Sequence, residues 1–154
     1  MRRVVLAGLA ALVAITGWLG WRDIEVRRAE ATRQQMVAAG RAGLLALTTI
    51  DHQQVDAAVQ HILDSSTGSF REDFEKRADE FKDAARKAQS KSVGTVTEAG
   101  WESADGDLGR VLVALRVMTT NRGVPERQPK AWRTRVTVVK QDGEFKIASV
   151  EFVP

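Results

Sequence analysis

The sequence predicts an α+β domain behind a single N-terminal transmembrane helix, on three observations. An uncharged apolar run fills residues 4–21, helical periodicity then dominates to about residue 90, and a period of two takes over beyond it. Runs of helix followed by runs of strand pack as helices on one face of an antiparallel sheet. The expected architecture is about three helices on a curved, about four-stranded antiparallel sheet. A chain of 154 residues holds one compact domain and a short appendage.

Residues 4–21 read VVLAGLAALVAITGWLGW, with Thr16 as the only hydroxyl. Eighteen helical residues rise about 27 Å, enough for a hydrocarbon core of about 30 Å. Trp18 and Trp21 stand at the end of the run, where amphipathic rings prefer the lipid–water boundary. A cleaved signal peptide would need small residues ahead of a cleavage site. Ala14 and Thr16 serve only by cutting the apolar core short, so an uncleaved anchor is the expectation. Arg2 and Arg3 against Arg22, Arg27 and Arg28 leave the positive-inside count nearly even. A short tail in the cytoplasm and a large domain outside is the simplest topology.

From 22 to 47 the chain has strong helix formers, with glycine only at Gly40 and Gly43. Charged DIEVRRAEATRQQ gives way to apolar MVAAGRAGLLAL, as in a stalk helix that ends by packing into a domain. The expected organisation is therefore stub and anchor at 1–21, helical stalk at 22–47 and exported domain at 48–154. Asp51 offers a helix N-cap ahead of Val55, Ala58, Val59, Ile62 and Leu63 at amphipathic spacing. Ser69 and Glu72 form a capping box. The helix it opens carries Phe70, Phe74, Ala78, Phe81, Ala85 and Ala88 on one stripe, read as domain core or cavity lining.

Residues 91–100 are rich in β-branched side chains and read as the first strand. In 108–120, Val111, Val113, Leu115 and Val117 alternate with Arg110, Leu112, Ala114 and Arg116. In 131–141, Trp132, Thr134, Val136 and Val138 alternate with Arg133, Arg135, Thr137 and Val139. Asp142-Gly143 is a two-residue hairpin signal that leads into the last strand, 144–153. Val113, Leu115, Trp132 and Val136 should thus face the phenylalanine stripe. The opposite face shows Arg110, Arg116, Arg133 and Arg135, a candidate partner-contact surface. The connection at 121–130, with two prolines, is longer than hairpin closure requires.

Chemistry is scarce in this sequence. There is no cysteine and no tyrosine, and the only histidines are His52 and His61. Nine residues put these two about 180° apart on one helix, so they read as separate polar surface groups. Asp105-Gly106-Asp107 lacks the downstream glutamate of a calcium loop and reads as a turn. No nucleotide-binding, nucleophile-elbow or zinc-protease motif occurs. No catalytic, cofactor-binding or metal residue is therefore assigned. Arg2 and Arg3 are two of the 23 basic residues, and beyond them 21 face all 20 acidic ones. That balance gives no footprint for nucleic acid.

The order of parts, together with LTTIDHQQVDAAVQHILDSSTGSFREDFEKR at 47–77 and WRTRVTVVKQDGEFKIASVEFVP at 132–154, resembles the Mce-associated membrane proteins. These are accessory proteins of the mammalian-cell-entry (Mce) lipid importers. The resemblance covers nearly the whole chain and departs at Phe145, where a larger aromatic is expected. It implies a cone-shaped domain similar to nuclear transport factor 2 and to the periplasmic domain of VirB-type secretion scaffolds. It implies no catalytic residues. The implied function is a non-enzymatic accessory component that assembles or stabilises an Mce lipid or sterol import complex at the cell envelope. Its implied partners are Mce subunits or the associated permease, and membrane lipid. Two alternatives stand beside it: a lipid or sterol carrier using the cone cavity, and a self-associating VirB-type scaffold.

Overall fold

The computed structural model describes residues 2–124 and 129–154, with side chains described at residue 18 and from residue 21 onward. The anchor read at 4–21 therefore lies outside the described side chains, except at Trp18 and Trp21. Both rings are exposed, and Arg22 sits 5.6 Å over the Trp18 ring. Among the described residues no helix is long and apolar enough to cross a membrane. Residues 125–128 of the long connection also lie outside the description.

The elements run α1 (Arg2–Thr48), β1 (Ile50–Asp51), a 3₁₀ turn (His52–Gln54), α2 (Val55–Asp64), α3 (Gly68–Ala88), β2 (Lys91–Asp105), β3 (Leu108–Thr120), β4 (Lys130–Gln141) and β5 (Glu144–Phe152). The chain forms two compact units, Met1–Gln34 and Gln35–Pro154. In the first, the described side chains of α1 are exposed apart from half-buried Thr32, and they form helical-spaced pairs, Arg27–Asp23 at 2.9 Å and Arg33–Glu30 at 3.7 Å.

The second unit is an antiparallel sheet of five strands in the order β1-β2-β3-β4-β5. The fifth strand beyond the expected four is β1, two residues that pair Ile50 with Ser92 and Asp51 with Lys91. β2 extends to Asp105, past the expected end at Gly100. Register shifts between Val96 and Glu98 and between Trp101 and Ser103 interrupt its alternation, which hides the second half of the strand from a period-two reading. Asp105 closes β2, and Gly106 and Asp107 turn the chain into β3. Asp142 (φ 52°) and Gly143 (φ 84°) are both left-handed, as a type I′ hairpin turn requires.

One face of the sheet buries Val111, Val113, Leu115, Val117, Val136, Val138 and Ile147 against Met36 and Leu44 of α1. The second half of α1 lies close because its contact residues are small: a Cβ at Gly40 would stand 3.3 Å from Val111. Thr134 is buried too, and its hydroxyl donates to the Val113 carbonyl at 3.1 Å. A second apolar cluster joins Ile50, Val55, Val59, Ile62 and Leu63 to Ala78 and Ala85 of α3, with Leu47 touching both clusters.

Two caps differ from expectation. Asp51 accepts the Gln53 amide at 3.0 Å and so caps the 3₁₀ turn ahead of α2. The N-cap of α3 is Thr67, without a side-chain cap bond, and Ser69–Glu72 form no capping box. The 65–67 stretch instead bonds to β5: the Thr67 amide donates to the Ile147 carbonyl at 2.8 Å, and the Ile147 amide to the Ser65 carbonyl at 2.9 Å. That pairing, with Gly68 at φ 59°, starts α3 two residues earlier than the capping box would.

Candidate functional site

The phenylalanine stripe is divided between two environments. Phe70 packs against the sheet cluster, whereas Phe74 and Phe81 pack on the α2–α3 cluster. This corrects the expectation that Phe74 faces Val113, Leu115 and Trp132. The reason is that α2 covers part of the stripe and α3 buries only Ala78 and Ala85 fully. All three rings are half-buried, with Phe74 6.5 Å from Phe70 and 6.0 Å from Phe81. Val113, Leu115 and Val136 are fully buried, and Trp132 is half-buried with Phe152 edge-on at 5.5 Å.

Between α3 and the sheet lie two open hollows, not one cone cavity. One, of about 330 Å³, is lined by Phe70, Asp73, Phe74, Arg77 and Val150. The other, of about 320 Å³, is lined by Leu47, Phe81, Ala84, Ala88, Val117 and Trp132. Neither histidine lines them. His61 is exposed. His52 is half-buried, which differs from the surface reading, and its Nδ1 lies 3.5 Å from Asp51 Oδ1 without a hydrogen bond. Among the described residues no cluster of acidic, histidine or cysteine side chains is arranged to hold a metal.

The uncovered face of the sheet is the more distinctive surface. Register places Arg110, Leu112, Ala114 and Arg116 of β3 beside Thr137, Arg135, Arg133 and Ala131 of β4. The four predicted arginines share this face, but in two electrostatic states. Arg135 donates two hydrogen bonds to Glu102, each 2.6 Å, and lies 3.8 Å from Glu151. The Arg135 hydrogen bonds hold the Glu102 carboxyl below its usual range, and the same bonds raise Arg135 above its own. Arg110 lies 3.7 Å from Asp105. Arg116 and Arg133 are exposed and make no ion pair among the described residues. Beside Arg133 the surface is apolar, with Leu112 40% exposed. A hollow of about 280 Å³ there is lined by Glu98, Gly100, Leu112, Ala114, Arg133 and Val153. Sequence reading found the arginines by alternation and missed Glu98 and Glu102, because the register shifts of β2 put them out of phase.

A family model described as "Uncharacterized protein Rv1363c/MT1408-like" matches residues 2–154. The chain belongs to this family. It is similar to the Mycobacterium tuberculosis (strain ATCC 25618 / H37Rv) member Rv1363c, with 33% identity over 159 residues, covering 99% of this chain and 61% of the relative. The chain thus spans about three fifths of that family member's length. Among solved structures, it is similar to an IcmL-like type IV secretion system protein from Legionella pneumophila, with TM-score 0.65 at 15% identity over 79% of this chain and 92% of that one. The periplasmic domain of DotI gives TM-score 0.61 at 11% identity, over 77% of this chain and 92% of that one. A TrwG component of a type IV secretion system from Bartonella birtlesii gives 0.56 at 12%, over 72% and 84%. At these identities the likeness establishes the fold alone, helices on a five-stranded antiparallel sheet.

Proposed function

We propose that this family member is a non-enzymatic accessory subunit, held by a single-pass anchor with its N-terminus cytoplasmic and its domain outside the cell membrane. There it assembles or stabilises an Mce-type lipid or sterol import complex by contact with transporter or permease subunits. The observation that carries the contact reading is the uncovered sheet face, where Arg133 beside exposed Leu112, and Arg116 farther along β3, make no ion pair among the described residues. Unpaired guanidinium groups beside an apolar centre suit recognition of a protein surface. The Mce partner comes from the sequence resemblance. A tether adds effective concentration, so a weak contact suffices within an assembly.

The second reading is a scaffold of the type IV secretion kind, favoured by the fold shared with IcmL-like, DotI and TrwG proteins. A carrier is the weaker reading, because the hollows of about 330 and 320 Å³ stand at the lower end of the range that small-molecule sites occupy. Affinity purification of the full chain from native membranes in mild detergent tests all three. Recovery of Mce and permease subunits is the expected result. Secretion components in their place support the second reading, and lipid without transporter subunits supports the carrier.

A further inference from the structure

The row across the middle of the uncovered face is antisymmetric in charge. Ala114 of β3 pairs with Glu98 of β2 on one side and with Arg133 of β4 on the other. Neighbouring strands stand about 4.8 Å apart, so acid and base root about 10 Å from each other with one methyl group between them. Neither makes an ion pair among the described residues, although Glu102 and Arg135 on the same face do pair. Both line the hollow that also holds exposed Leu112.

We propose that this face is a homodimer interface, two copies stacked face to face about a two-fold axis that runs along β3 over Ala114. Rotation about that axis exchanges the β2 side with the β4 side. Glu98 of each copy then meets Arg133 of the other, two ion pairs from one symmetric contact. Ala114 meets Ala114, and with Gly100 it leaves room for the roughly 10 Å spacing of stacked sheets. Leu112 and Val153 are covered. A two-fold axis across the strands is rejected, because it sets Glu98 against Glu98 and Arg133 against Arg133. A foreign partner needs an acid and a base at this spacing in the opposite order, whereas a second copy supplies both by symmetry. The arrangement rests on the contact reading above and names the first partner of the face. Its cost is Arg110 and Arg116, which both come to lie opposite their own copies, Arg110 with Asp105 3.7 Å away.

The chain has no cysteine, so single cysteines report contacts without background. Full-length Ala114→Cys in native membranes, treated with a short bis-maleimide, should give a dimer band far faster than Lys87→Cys on exposed α3. In that background Glu98→Arg or Arg133→Glu alone should lower the band severalfold, and the two together should restore it. Arg116→Ala should raise it, where loss of a contact to an acidic partner would lower partner recovery. Sedimentation of the unsubstituted chain in density-matched detergent gives a second measure, which no folding defect of a variant can affect. Parity of Ala114→Cys with Lys87→Cys, failure of the double reversal to restore the band, or a monomer in sedimentation overturns the dimer. A monomer that still recovers transporter subunits overturns the dimer alone. A dimer without any of those subunits supports the interface and counts against the accessory role.

Discussion

Gly43 of α1 lies directly against Ile147 of β5: a Cβ at position 43 would occupy the space of the Ile147 side chain. Ile147 is fixed from three sides. It sits in the sheet cluster, pairs with Val138 across β4, and exchanges backbone hydrogen bonds with Ser65 and Thr67. It cannot give way without loosening the junction that starts α3. Gly43→Ala should therefore lower stability by about 1–3 kcal/mol, the usual range for overpacking a core. Thermal melting of the full chain in detergent checks this, with Lys87→Ala as control. Lys87 is exposed on α3, away from the proposed interface, so that variant should melt like the parent.

The two core clusters predict different penalties for truncation. Leu115 is 1% exposed within the sheet cluster, and Leu115→Ala should cost about 2–5 kcal/mol. Phe74 is half-buried on the α2–α3 cluster, so Phe74→Ala should cost about 2 kcal/mol, below the range for a fully buried ring. Denaturant midpoints of the two variants should fall in that order. The reverse order would mean that α3 turns its stripe toward the sheet.

Much of this fold was legible because burial and alternation coincide on β3 and β4. Val111, Val113, Leu115 and Val117 are buried, while Leu112 and Arg116 between them are exposed. The same alternation put four arginines on the uncovered face. What stayed hidden depends on distant pairing. β1 is too short to show a period, and Glu98 joins the row of Ala114 only because β2 shifts register beyond Val96. The capping box at Ser69–Glu72 is a valid local signal that lost to a tertiary one, the pairing of Thr67 with Ile147. No local pattern tells which of two apolar layers a phenylalanine enters.

Acid should reach the domain through the uncovered face. The Arg135 hydrogen bonds lower the Glu102 carboxyl, so the pair contributes stability that is complete above the ordinary glutamate value of about 4.3. That contribution is lost as pH falls through the lowered folded value. Asp51 behaves alike, lowered first by the Gln53 amide and then by Lys91. Melting temperature should thus drop below about pH 4. Glu102→Gln should show a shallower drop there and little change at neutral pH, because the pair is solvent-exposed. An unchanged slope would assign the acid sensitivity to Asp51 or other carboxylates.

Contact and cargo handling predict opposite outcomes when the hollow beside α3 is filled. Ala84 is exposed on α3 and lines the hollow of about 320 Å³ together with Phe81, Ala88 and Trp132. A tryptophan at position 84 lies across the opening without entering either buried cluster, so Ala84→Trp should fold and melt like the parent. If the domain acts by contact through the opposite face, partner recovery and lipid uptake should both stay at parental levels. Arg116→Glu combined with Arg133→Glu should lower both together, since those side chains lie outside the core and on the contact surface. A carrier behaves in the reverse way: Ala84→Trp abolishes uptake while the arginine variant and the parent transport alike. Measuring uptake and co-purification for the two variants side by side separates the readings, because each variant blocks one surface and leaves the other open.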